Sequence, residues 1–130
     1  MKKNEMIKLK FNRDSVCMAD DMEDHAVFFD VDEKISVDDL VQFLYSKPNV
    51  IPGISGGKAT WILQIKNGHF YRDIAVFAEQ WDSVKYISNT GLFTSIGEII
   101  SFYNPTEFFA RYLGQKDPED IYNIFKELRF

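Results

Sequence analysis

Cys17 and His25 are the residues best suited to covalent chemistry. A thiol and an imidazole act as nucleophile and base when a fold brings them within hydrogen-bond reach. The chain has one cysteine and two histidines, and the second histidine, His69, stands beside a turn signal. The plainer reading of a lone cysteine is a small apolar residue in or near a core. Asp20, Asp21, Glu23, Asp24 and His25 form a run that invites a hard cation or zinc. An EF-hand loop needs acids at alternate positions, a glycine in the middle and a distal glutamate. This run has no glycine and the wrong spacing. Zinc takes several Cys or His ligands, and the segment supplies one of each. Gly53-Ile54-Ser55-Gly56-Gly57-Lys58-Ala59 has the outline of a phosphate loop. However, Pro52 stands where the motif needs its first glycine, and Ala59 where it needs the magnesium-binding hydroxyl. A strand pattern follows instead of a helix. A carboxylate pair of the glycosidase kind is available in any acid-rich chain, and no spacing here selects one. These residues point to no catalytic set, no metal and no cofactor.

What they do form is a charge pattern. The chain has 130 residues and a net charge of −5, which disfavours direct nucleic-acid binding, since phosphate contacts need Lys and Arg. The charge is unevenly placed. Residues 1–12 carry Lys2, Lys3, Lys8 and Lys10 against Glu5. Residues 13–39 carry Arg13 and Lys34 against ten acids, a net charge of −8. Residues 40–130 balance nine against nine. The acidic excess therefore lies in one short stretch. One reading is a solvated acidic loop. The other is a surface for a basic partner, because clustered charge of one sign raises the local potential. On that reading the partner-binding residues are Asp20, Asp21, Glu23, Asp24, Asp38 and Asp39. Reversing Asp20, Asp21 and Asp24 to lysine would then slow association and flatten its salt dependence.

The length suits one domain spanning residues 1–130. With 45% hydrophobic residues and twelve Phe, there is material for one core, and the aromatic residues read as packing rather than a ligand cage. No run reaches the ~20 apolar residues of a membrane helix. No signal-peptide pattern follows the charged N-terminus. A single cysteine cannot make an internal disulfide, so the cytosol is the expected compartment.

The elements that must position these residues follow from periodicity. Ile7, Leu9 and Phe11 alternate with Lys8, Lys10 and Asn12, predicting a half-buried strand whose lysines suit an exposed sheet edge. Such an edge is also a place for a partner strand to pair. Val27, Phe29 and Val31 predict a second strand. Ser36 reads as a helix N-cap, with Asp38 and Asp39 in the first turn and Val37, Leu40, Val41 and Leu44 on one face as far as Ser46. Ala59, Trp61, Leu63 and Ile65 predict a third strand. Asn67-Gly68 predicts a type I′ hairpin, and 69–79 the return strand. A core cluster of Trp61 with Trp81 is a further expectation. The C-terminal third reads as helical. Ser95 and Glu98 match a capping box ahead of Ile96, Ile99, Ile100 and Tyr103. Phe108, Phe109, Tyr112 and Leu113 suggest a short helix after Pro105. Asp117 and Pro118 then open a last helix carrying Ile121, Ile124, Phe125 and Leu128. The sum is an α+β fold: an antiparallel sheet of about four strands, helices packed on one face, and a helical C-terminal third.

Val16-Cys17-Met18-Ala19-Asp20-Asp21, Gly56-Gly57-Lys58-Ala59-Thr60-Trp61 and Ile74-Ala75-Val76-Phe77-Ala78-Glu79-Gln80-Trp81, in a small acidic α+β chain, resemble the immunity proteins of bacterial polymorphic-toxin and contact-dependent growth-inhibition systems. The resemblance implies no enzyme activity. It implies tight binding to one cognate toxin, the toxic C-terminal domain of a larger bacterial protein, with its active site or an essential surface blocked. Many such toxins are nucleases with basic clefts, which an acidic inhibitor can occupy. Two other readings stand beside it. One is a small cytosolic enzyme using His25 with nearby carboxylates or Cys17. The other is a structural subunit of a larger assembly, joined through its Phe-rich C-terminal helices.

Overall fold

The alternating segments near the N-terminus do form strands, but they enter a wider sheet than four. In a computed structural model, residues 6–14, 16, 26–47, 50–51, 57–87 and 95–127 are described. Strands β1 (Met6–Arg13), β2 (Val27–Asp32), β3 (Thr60–Asn67), β4 (Phe70–Ala78), β5 (Lys85–Tyr86) and β6 (Glu107–Tyr112) make one mixed sheet in the order β2-β1-β6-β3-β4-β5. Helices α1 (Val37–Ser46), α2 (Ile96–Tyr103) and α3 (Pro118–Glu127) complete the described elements. The four-strand antiparallel sheet is thus overturned. β6 lies parallel to β1, with Phe11 opposite Phe108, and antiparallel to β3, with Leu63 opposite Ala110.

The error lies mainly in residues 107–112, expected as a short helix. Their period is two: Phe108 and Ala110 are buried while Glu107, Phe109 and Arg111 face the other way. Aromatic residues at that period fit a pleated surface, and the slot between β1 and β3 fixes the choice. Consequently β1 is an interior strand. Among the described residues, its lysines sit on the sheet's second face, and the outer strand on that side is β2. The hairpin differs by one residue. Asn67 pairs with Phe70, so the turn is Gly68-His69. Gly68 has φ +62° and His69 does not have a positive φ, the pattern of a type II′ turn with glycine first.

Side-chain alternation divides the sheet into two faces. On the first, Leu9, Phe11, Val31, Trp61, Leu63, Ile65, Phe77 and Phe108 form the main core with Val37, Leu40, Val41 and Leu44 of α1 and Ile96 and Ile99 of α2. Each of these large side chains contributes roughly 1.5–3 kcal/mol when fully buried. On the second face, Ile62, Val76 and Ile87 pack on Ile121 of α3, with Trp81, Tyr122 and Phe125 around them. Helices therefore cover both faces, which corrects the one-face expectation. Trp61 and Trp81 fall in different clusters, so the expected pair does not form one core cluster. Ile124, expected on the buried stripe of α3, is 54% exposed. Leu128 lies outside the described residues.

The caps are where the sequence places them. Ser36 Oγ accepts the Asp39 N–H at 3.0 Å, and Ser95 Oγ the Glu98 N–H at 3.2 Å. Asp117 Oδ1 accepts the Glu119 N–H at 2.9 Å. α2 is seated on the turn after β2: the Ile96 and Gly97 N–H groups donate to the Ile35 and Glu33 carbonyls, each at 2.8 Å. A Cβ on Gly97 would lie 2.7 Å from the Glu33 carbonyl oxygen. Gly97→Ala is expected to cost about 1–3 kcal/mol through overpacking, despite the ~1 kcal/mol that helix propensity favours alanine. A lowered urea midpoint at unchanged slope is the result to look for.

Candidate functional site

Within the acidic stretch, Val27–Asp32 forms an outer strand of the sheet among the described residues. β2 is the outermost strand on one side among the described residues, with β1 as its strand neighbour. It presents Asp30 and Asp32 on the sheet's second face and runs into Glu33, then into the first turn of α1 with Asp38 and Asp39. These acids do not share one role. Asp32 Oδ1 accepts the Lys34 N–H at 2.9 Å and shapes the turn. Asp38 Oδ1 accepts the Val84 N–H at 2.7 Å and ties α1 to the chain entering β5. Asp30 and Asp39 are exposed. Of the six residues expected to bind a partner, then, Asp39 stands in solvent and Asp38 is engaged in holding the fold. Asp20, Asp21, Glu23 and Asp24 lie outside the described residues, as do Cys17, His25 and most of the glycine-rich loop. Beyond that loop, Lys58 is exposed and Ala59 leads into β3.

The same edge carries apolar surface. Phe28 is 62% exposed and Met6 61%, both on the second face, where α3 does not reach. Phe29, on the first face, packs edge-on against Phe43 of α1 with ring centroids 5.1 Å apart. Asp30 and Phe28 were not singled out in the sequence, although the polar face of the β2 alternation marks them.

Inward from β2, the uncovered part of the second face carries charges of both signs. Lys10 pairs with Glu107 at 3.4 Å. Lys66 sits 3.6 Å from the centre of the Phe109 ring, and Gln64 Nε2 donates to Asp73 Oδ1 at 2.7 Å. Asp14 Oδ2 accepts the Tyr112 N–H at 3.0 Å. Lys8 lies opposite Asp30 of β2, and the exposed Arg111 shares this face.

A second acidic spot lies under the other end of α1, where Gln42, Tyr45, Ala78, Glu79, Trp81 and Asp82 line a surface cavity. Glu79 Oε1 accepts the Ala59 N–H at 2.8 Å. The Tyr45 hydroxyl is buried with no hydrogen-bond partner. Burial first, and the Glu79 charge second, push its pKa well above the ordinary 10.0. Burial, and then Asp38, raise that of Tyr86. In both cases the fold favours the neutral phenol. The stability this gives is complete below pH 10 and is lost as the pH climbs above it. Tyr45→Phe removes an unpartnered hydroxyl. It is expected to raise unfolding stability by about 1 kcal/mol and to soften the loss above pH 10, read by denaturant melts at neutral and alkaline pH.

Among the described residues no group of three or more His, Cys, Asp or Glu is placed to hold a metal ion. No helix of the described residues is long and apolar enough to cross a membrane. Comparison of the chain with protein-family models found no match, and comparisons with curated proteins and with solved structures found none either.

Proposed function

We propose that this protein binds and neutralises another protein that carries a basic surface, as an immunity protein does its toxin. The observation that carries the reading is the position of the acidic stretch. Its described part forms the outer strand of the sheet and the start of α1, with Phe28 exposed beside Asp30. Large apolar side chains set the lifetime of a complex, and charge around them sets the rate of encounter. A nuclease-like domain with a basic cleft matches this surface, because an acidic edge can occupy the place of the nucleic acid.

The test is capture of the partner from the native cell with the tagged protein, washed at about 0.1 M and then at roughly 0.5 M salt, where screening is much stronger. One stoichiometric protein with a basic domain is the expected result, and co-expression should rescue growth of cells making that domain. Capture of no protein at either salt from cells shown to make such a domain, or a captured partner that is acidic, contradicts the proposal.

A further inference from the structure

We infer that the partner is held as a seventh strand, added to the outer edge of β2, and that the added strand alternates basic and apolar residues. The inference rests on the binding reading above and names how that binding is made.

Over Val27–Val31, β2 has β1 on one side and no second strand neighbour among the described residues, while the Asp32 carbonyl accepts the Ile35 N–H at 3.0 Å. Natural proteins blunt such edges with lysine, proline or bulges. β2, Val27-Phe28-Phe29-Asp30-Val31-Asp32, has no lysine and no proline, and it pairs with β1 in unbroken register. Its six residues span roughly 20 Å at the usual strand rise. Aspartate guards this edge, and its sign is selective. Two copies of β2 paired to each other would gather four aspartates on one sheet face, and like charges across strands repel. A second copy of this chain is therefore disfavoured, while a strand bearing Lys or Arg on that face is favoured.

The inner neighbour shows what β2 accepts. On β1, Lys8 lies opposite Asp30 and Lys10 opposite Phe28, whereas Leu9 lies opposite Phe29 and Ile7 opposite Val31. Basic residues thus meet the acidic, open face, and apolar residues meet the core face. The outer side of β2 presents the same alternation, since a strand has the same two faces to either neighbour. On the core face an incoming apolar side chain would meet the half-buried Phe29 and Phe43. On the open face an incoming lysine or arginine would lie beside Asp30, with its stem on the exposed Phe28 ring.

The probe is a synthetic peptide copying Met6–Arg13, Met-Ile-Lys-Leu-Lys-Phe-Asn-Arg, added at about 1 mM to the full-length, isotope-labelled protein. The control peptide carries Lys8→Glu and Lys10→Glu. The expected result is amide shifts centred on Val27–Asp32, with exchange of exposed β2 amides slowed about twofold at half-saturation, as mass action requires. The control should do neither. The inference is overturned if β2 amides do not respond, if both peptides act alike, or if the peptide displaces β1, exposing the β6 amides at Phe108–Ala110. Self-association of the protein through β2 would overturn it too. Capture of a basic partner with no response of β2 to the peptide removes strand addition and leaves the binding reading standing. A response of β2 with no basic partner captured does the reverse.

Discussion

Association with the partner slows by about tenfold or more at low salt when Asp30 and Asp39 are both replaced by lysine. The estimate comes from the range over which focused charge alters encounter rates. Both side chains are exposed, Asp30 on β2 and Asp39 in the first turn of α1. Over a distance shorter than the screening length of about 10 Å at 0.1 M salt, each reversal replaces attraction by repulsion. The dissociation rate should move much less, because rim charges act chiefly on encounter. The slope of rate against salt should flatten, and adding Asp20, Asp21 and Asp24 to the reversal should flatten it further. Asp38 is best left in place, since its carboxylate holds the Val84 N–H and its loss would disturb α1. Phe28→Ala supplies the complement, a faster dissociation with little change in association. Stopped-flow mixing across a salt series separates the two. An unchanged association rate in the double reversal means that the β2 edge does not steer.

Trp61→Ala is expected to lower unfolding stability by about 3–5 kcal/mol, a large part of what a domain of this size possesses. Trp61 is fully buried. Its ring stacks on Phe77 at 6.2 Å and tilts against Tyr112 at 4.8 Å, so truncation leaves a cavity bounded by β3, β4 and β6. Trp61→Phe should cost far less. It keeps most of the ring volume and removes an indole N–H that is buried with no hydrogen-bond partner. Chemical denaturation of the three proteins checks this. Equal losses for the alanine and phenylalanine variants would mean that the cavity argument is wrong.

What could be read in the chain was what is encoded locally. β1, β2, α1 and the β3–β4 pair follow from periods of two and 3.6, and the caps at Ser36, Ser95 and Asp117 from short-range hydrogen bonding. β6 could not be read this way. Glu107–Tyr112 has aromatic residues compatible with either period. Its strand state is decided by β1, far away in sequence, and by β3, which no window contains. That one segment decides the sheet order, makes β1 interior and leaves β2 as the outer strand among the described residues. The candidate site was legible as charge and not as geometry. The excess of acids in residues 13–39 is plain in the sequence. That Asp38 is engaged with Val84 while Asp30 and Phe28 stand exposed is not, because both depend on pairings across the fold.

The central claim is that the acidic edge recruits a basic protein, and capture from the native cell with wild type and the Asp30→Lys, Asp39→Lys variant side by side tests it most directly. The account predicts one stoichiometric basic partner on the wild type and its marked depletion from the variant, with both proteins equally folded. Equal recovery of that partner on both, or recovery of none by the wild type from cells that make a basic toxin domain, would contradict it.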